Sequence, residues 1–485
     1  MTQKTCIKDA DWIIAWDDSS QSHAYVAGGD LVFAGDRIEF VGPRYDGPVD
    51  YVVDGANLLV MPGLINTHAH PATEPFYRGI REEQGVPEKY MTGLYERLTS
   101  LVPPMEARAA GATVAYCELL LSGVTSVADL SAPYDGWLDL AGRSGLRVFI
   151  APGYSSARWH VEESWKLRYK WDPAAGKQRF REALELIDQA GRHPSGRLSG
   201  VVFPAQIDTC SEELLRDSHA AAEDRGLPLT THCAQSVPEF NEMVDRYGKT
   251  PVQWAEEISI LSPRTTIGHG IFLDEHSWLH WHSRKDLSIL SRTQTSVAHC
   301  PSPFARYGQM LEHFGKYIRA GVNMSMGTDV SPHNLIEEMR LAATLGRIAA
   351  EDINALNLAD VFAAATVGGA RALCRDDLGR LAPGMKADIV LVDLTNPYIM
   401  PARDPLRSLV YHAADRAIRD VFVDGIKVVA NRRVLTLDQA AALEQLMDAQ
   451  ARMEREAPTR DFMKRSALQI APLSLPLWGA KKLRE

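Results

Sequence analysis

Two histidines one residue apart, His68 and His70, close an apolar run that reads MPGLINTHAH over 61–70. On an extended strand they point to the same face, about 7 Å apart along the backbone, so their imidazoles can share one cation. In a chain with 15 histidines the pair means little until its company is counted. Four further apolar runs also end in a group able to bind metal or move a proton: His232 in LPLTTHCA, His269 in TTIGHG, His299 in QTSVAHCP and Asp329 in VNMSMGTD. His68, His70, His232 and Asp329 would offer three neutral nitrogens and one carboxylate. That set suits zinc or ferrous iron with a position left open for water, and manganese or cobalt would also be accepted. One divalent cation held this way makes a water nucleophilic near neutral pH. Asp329 would then accept the water proton and pass it to a leaving nitrogen. His269 would hydrogen-bond the group under attack.

Residues so distant in sequence meet only if the elements deliver their ends to one place. Eight short apolar runs, 61–70, 124–130, 146–154, 198–208, 227–234, 265–270, 294–301 and 322–329, alternate with longer Ala- and Leu-rich amphipathic stretches. This is the pattern of repeated β-α units, and eight of them predict an α/β fold of the (β/α)8 TIM type, which gathers its chemistry at the C-terminal strand ends. Before and after the barrel, β-branched residues alternate with charges between turn residues, in 11–60 and again in 384–394 and 416–435. The two ends therefore pair into one small composite β domain. The expected division is 1–62 and 383–436 for the two parts of that domain, 63–382 for the barrel, and 437–485 for a helix and a tail packed on the surface or on a second subunit.

Composition narrows the partners. Hydrophobic residues at 45% and charged residues at 24% belong to a globular chain, not a disordered one. A net charge of −10 repels polyanions, which argues against nucleic acid and anionic membranes. The N-terminus turns acidic before any useful apolar stretch, and no run approaches the ~18 apolar residues of a membrane span. Six scattered cysteines without a C-x-x-C pair fit a reducing cytoplasm.

The run PGLINTHAH, the histidines ending the fifth and sixth runs and the GTD of the eighth resemble the motifs of the amidohydrolase superfamily. More closely, the chain is similar to the branch containing triazine hydrolases and cytosine, guanine and adenosine-type deaminases. The resemblance continues through ATVGGARAL (365–373), DDLGRLAPGMKADIVLVDL (376–394) and DPLRSLV (404–410). It implies a single metal, zinc foremost, on His68, His70, His232 and Asp329, with His269 facing the substrate or supporting the ligands, and a homo-oligomer. Relatives with two metals bridge them through a carboxylated lysine at the fourth strand end. Here that end reads PAQID, with Gln206 and Asp208, which points to one metal.

Two departures bear on the substrate. The deaminases carry a glutamate three residues after the fifth-strand histidine, where this chain has Gln235, and an amide is no general acid or base. The seventh strand end reads AHCPSPFARYG, with Pro303 and Phe304 where polar contacts are expected. With CAQSVPEF (233–240), this is similar to phenylurea and thiocarbamate (molinate) hydrolases. The leading expectation is therefore hydrolysis of a non-peptide C–N bond in a urea, carbamate, thiocarbamate or amide of a small aromatic or apolar substrate. Aminohydrolysis or dechlorination of a nitrogen heterocycle such as a pyrimidine, purine or s-triazine is the alternative, and a non-catalytic binding protein on the same fold is the third reading.

Substrate contacts are expected from Gln235, His299, Arg78, Phe304 and Trp159, with Glu239 as a reserve base. Trp159, Trp165, Tyr169 and Trp171 crowd one long connection after the third run and could either line the mouth or pack that loop onto the barrel. HSWLHWHSR (276–284), with His276, His280 and His282, reads as a solvated helix face. Cys233 and Cys300 alternate away from the site histidines and read as barrel packing.

Overall fold

Every one of the eight apolar runs forms a strand in the computed structural model, which describes residues 3–80, 92–162 and 166–478. The chain opens with five strands, β1 (Lys4–Asp17), β2 (Ser22–Ala34), β3 (Arg37–Gly42), β4 (Tyr51–Asp54) and β5 (Leu58–Pro62). The barrel strands follow: β6 (Leu64–Ala69), β7 (Val124–Asp129), β8 (Arg147–Ile150), β11 (Leu198–Gly200), β12 (Leu229–Cys233), β13 (Thr265–His269), β14 (Ser296–His299) and β15 (Met324–Met326). Between the third and fourth lies a hairpin of β9 (Ala157–Val161) and β10 (Leu167–Trp171). Four strands end the β region, β16 (Ile389–Asp393), β17 (Ile418–Val423), β18 (Ile426–Ala430) and β19 (Arg433–Val434).

The barrel is two parallel four-stranded sheets, β11-β8-β7-β6 and β12-β13-β14-β15. Helices cover the outside and side chains fill the inside, so both faces of each strand are buried and the sequence runs read as nearly continuous apolar stretches. Short parallel bridges close the two seams. One joins Val202 to Leu229 and Gln206 to His232, and the other joins Ala69 to Asp329. Both seams thus pass through residues of the expected site, and closure of the barrel is what assembles it.

The two chain ends meet in a nine-stranded sheet ordered β19-β18-β17-β16-β5-β1-β2-β3, with β4 on β1. Its central joint is the antiparallel β16–β5 pair, with Leu391 opposite Val60. Ile7, Ile13, Leu31, Phe33, Val60 and Leu391 form its own core, as the alternation predicts. Arg147 of β8 bolts this sheet to the barrel: buried among apolar neighbours, it lies 3.2 Å from Asp388 and 2.5 Å from Asp424.

The helix Gln439–Arg460 starts at Asp438, whose side chain accepts from Ala441 N. It lays Leu446, Ala449 and Met453 on Phe76, Tyr77 and Leu101, and Gln450 Nε2 donates to the Phe76 and Arg78 carbonyls at 2.8 Å. The last helix therefore braces the segment that follows the H-x-H pair. Residues 276–284 correct the sequence reading, since they form an irregular loop and the next helix begins only at Asp286. Asp274 collects Ser283 Oγ (2.6 Å) and Lys285 N (2.6 Å), and its own N–H bonds Asp286. These side-chain bonds to the backbone win over the helical spacing of the histidines. No helix among the described residues is long and apolar enough to cross a membrane.

Candidate metal centre

At the barrel mouth, one potential ligand atom from each of His68, His70, His232 and Asp329 falls within 4.8 Å of all the others. Asp329 Oδ1 lies 3.4 Å from His68 Nε2 and 3.2 Å from His70 Nε2. His68 lies near the end of β6 and His70 directly follows that strand, His232 lies near the end of β12, and Asp329 follows β15 with a left-handed φ of 59°. Such a backbone is costly for a side-chain-bearing residue and persists where the surroundings enforce it. Here Thr328 N and Asp329 N both donate to the His68 carbonyl, at 3.0 and 2.9 Å. One ligand's backbone thereby holds another's.

The rings are aimed by their rear nitrogens. His70 Nδ1 donates to the Leu130 carbonyl and His232 Nδ1 to the Ala205 carbonyl, each at 2.6 Å. A carbonyl only accepts, so the proton sits on Nδ1 and the Nε2 lone pair faces inward, the form a metal requires. His68 is fully buried and neither of its ring nitrogens makes a hydrogen bond. An orphaned buried imidazole is expensive, and a cation at the centre of this donor set supplies the missing partner. The crowding around it is close: a Cβ on Gly268 would lie 2.8 Å from His68 Cε1 and one on Gly327 would lie 2.6 Å from His68 Cβ. Burial holds His68 below the ordinary imidazole value and holds His232 and His269 well below it, keeping them neutral. For Asp329 burial works upward, but the His68 and His70 imidazoles prevail and hold the carboxyl well below its usual range. The arrangement is a candidate mononuclear site for a divalent cation.

Against the centre lies a cavity of about 140 Å³. That is close to the size of the ~150 Å³ void that takes up benzene in an engineered protein core. His269, Gln235, Phe304 and Trp159 line it beside His70, His232 and Asp329. The Phe304 ring stands 4.6 Å from that of His269. Arg78 and His299 do not line this cavity. Arg78 pairs with Glu118 and donates to Ser331 Oγ at 3.2 Å, bracing the loop after Asp329. His299 packs its ring on Phe314, 5.3 Å away. Glu239 also turns away from the cavity. Its carboxyl accepts from Ala234 N (2.6 Å) and Gln235 N (3.2 Å), and burial, then the Asp208 carboxylate, pushes it up to about 8. Trp159 and Tyr169 both donate to Asp208 Oδ2, whereas Trp171 is exposed and faces the Arg246 guanidinium; Trp165 lies outside the described residues.

The cavity also contains residues that sequence reasoning did not single out. Leu94, Arg97 and Leu98 come from one face of the helix Thr92–Ser100, and Thr73, Glu74, Arg306, Tyr307 and Val330 line the cavity beside them. The i, i+3, i+4 spacing of the first three was visible, but nothing in the sequence says that this helix covers the mouth. Asn66 and Thr328, neighbours of the H-x-H pair and of Asp329, were likewise silent. Asn66 Nδ2 donates to Thr328 Oγ1 (2.8 Å), which in turn bonds His333 Nδ1 (2.8 Å).

An eight-stranded parallel barrel with three imidazoles and a carboxylate at its mouth defines a metal-dependent hydrolase. The chain belongs to the amidohydrolase family, whose model matches residues 59–428. It is 30% identical to a 5'-deoxyadenosine deaminase of Methanothermobacter thermautotrophicus over 416 residues, 82% of this chain and 90% of the relative. It is 28% identical to a 5-methylthioadenosine/S-adenosylhomocysteine deaminase of Natronomonas pharaonis over 396 residues, 81% and 86% of the two chains. Among solved structures, a zinc-bound adenosine deaminase from Xanthomonas campestris matches at a TM-score of 0.78 and 23% identity, over 93% of this chain and 99% of that one. A zinc-bound atrazine chlorohydrolase from Arthrobacter aurescens matches at 0.78 and 24%, over 92% and 100%. Deaminase-like and triazine-hydrolase-like relatives both occur, and neither narrows the chain to one subgroup. The chain carries a single candidate metal site typical of a mononuclear enzyme of this superfamily that acts on a C–N bond of a small substrate.

Proposed function

We propose that the chain is a zinc-dependent aminohydrolase that removes an amino group from a nitrogen heterocycle, of the purine or pyrimidine kind. This reverses the order of the sequence expectations, and the observation that carries it is the single His68–His70–His232–Asp329 centre in a chain similar along 82% of its length to an adenosyl-compound deaminase. These four residues would hold the cation, which when bound supplies Lewis acidity that makes a water nucleophilic near neutral pH. Asp329 takes the water proton on a carboxylate oxygen and returns it to the leaving nitrogen, a role Gln235 has no proton to share. His269 hydrogen-bonds the nucleophile or the atom under attack, while Gln235, Phe304 and Trp159 position the ring. Arg78 and His299 support the site from behind.

Hydrolysis of a urea, carbamate or amide is the second reading, favoured by one observation: Gln235, Pro303 and Phe304 line the cavity where a deaminase would present acid and polar groups. The deciding experiment incubates the zinc-loaded protein with adenosine-type, guanine, cytosine, triazine, phenylurea and anilide compounds and identifies products by mass spectrometry. Ammonia from a ring supports the first reading. Release of an aryl amine with no ammonia would replace it with the second, and chloride from a chlorotriazine would mark dechlorination. A reducing cytoplasm suits the six unpaired cysteines, and the exposed Leu473, Leu475, Leu477 and Trp478 suit a homo-oligomer.

A further inference from the structure

Gln206 and Gln235 hang from the same seam of the barrel. Gln206 is bridged to the His232 backbone, and Gln235 follows His232 by three residues, so both amides stand beside one of the metal-site imidazoles. Both line the cavity, and Gln235 Nε2 donates to Gln206 Oε1 at 2.5 Å. Glu239 holds Gln235 from behind, its carboxyl accepting from the Gln235 backbone N–H at 3.2 Å.

The arithmetic of two bonded amides is simple. Each has a carbonyl with two lone pairs and an N–H₂ with two donors, and their mutual bond uses one N–H of Gln235 and one lone pair of Gln206. The two groups left wholly unused by that bond are the Gln206 N–H₂, a donor, and the Gln235 carbonyl, an acceptor. Exchanging the two ends of both amides would reverse the order but still leave one donor and one acceptor. Two residues beyond Gln206, Asp208 is buried and accepts from Trp159 Nε1 (3.1 Å) and Tyr169 Oη (2.7 Å). The Trp159 wall of the cavity is therefore registered to the amide pair through one short segment of chain.

We propose that Gln206 and Gln235 act together as a specificity element that grips a neutral, planar group presenting an acceptor next to an N–H, such as the edge of an amide, a lactam or an aminated ring. The pair reads this edge by hydrogen bonding and moves no proton. A carboxylate, which only accepts, would leave the Gln235 carbonyl facing another acceptor. The inference rests on the C–N reading of the site and gives that site its substrate class.

The test measures binding, not turnover, by titration calorimetry on the full-length zinc-loaded protein. The probes are benzamide, which carries both groups, and N,N-dimethylbenzamide, which has lost its donors. Benzamide is expected to bind on the order of tenfold to a hundredfold more tightly, the range that follows from leaving one buried acceptor unpaired. Gln235→Met should bring the ratio to about one. Gln206→Glu keeps an acceptor for the Gln235 amide but removes the donor, so it should weaken both probes by about tenfold and preserve their ratio. The proposal is overturned by a ratio that survives Gln235→Met, by unchanged affinities in Gln206→Glu, or by native protein that does not bind benzamide. Ammonia release plays no part here, so failure of the deamination reading and failure of the amide pair are read from different measurements.

Discussion

His68 carries the clearest residue-level consequence. It is the one member of the centre whose two ring nitrogens both lack a hydrogen bond, so without a cation its burial is uncompensated. His68→Ala is expected to empty the site and abolish turnover, read as loss of the metal, about one per chain, by elemental analysis. Asp329→Asn keeps a carbonyl oxygen in place but cannot accept the water proton. It should retain part of the metal while losing on the order of 10²–10⁴ in rate. Full activity in either variant contradicts the assignment. These residues were legible because H-x-H and an acid at a strand end are local patterns with a fixed direction. Arg78 was not, since a guanidinium near the site in sequence serves equally well as a brace, and its Glu118 and Ser331 partners lie far along the chain.

At the scale of elements, the turn after β12 is held by Glu239, the third residue of the helix Val237–Tyr247, through the amides of Ala234 and Gln235. Burial and the nearby Asp208 raise its folded-state value to about 8, from an ordinary 4.5. A carboxyl raised on folding contributes stability that is fully present below the unfolded value and is lost as pH climbs towards the folded one. Between about pH 4.5 and 8 the native protein should therefore lose stability through this group. Glu239→Gln does not ionise, so its melting temperature relative to native should rise from pH 5 to pH 8 in scanning calorimetry. A constant difference across that range would show that Glu239 is not protonated in the folded protein. A helical segment after each barrel strand was readable from the β-α alternation. The absence of one over 276–284 was not, because Asp274 and Asp286 settle that loop through contacts that a spacing rule does not see.

Across the whole molecule, Arg147 joins the barrel to the β sheet through Asp388 and Asp424, all three largely withdrawn from water. Arg147→Ala takes the guanidinium from the buried Asp388, while Asp424 keeps Lys386 at 3.2 Å, and is expected to cost about 3 kcal/mol, seen as a lowered urea midpoint. Loss of less than ~1 kcal/mol would mean that solvent reaches this joint. Sequence alone determined the eight-unit barrel, the pairing of the two ends into a β domain and the four candidate metal ligands that the fold brings together, because hydrophobic period and strand-end chemistry repeat locally and the barrel sends all strand ends to one mouth. Only the tertiary structure decided which side chains surround the substrate. Arg97 and Leu94 reach the cavity from a helix between the first two barrel strands, and Gln206 becomes the partner of Gln235 only when the seam between Gln206 and His232 closes. Those neighbours are set by how distant elements pack, and no local pattern of residues encodes a distance between two segments that touch only after the barrel has shut.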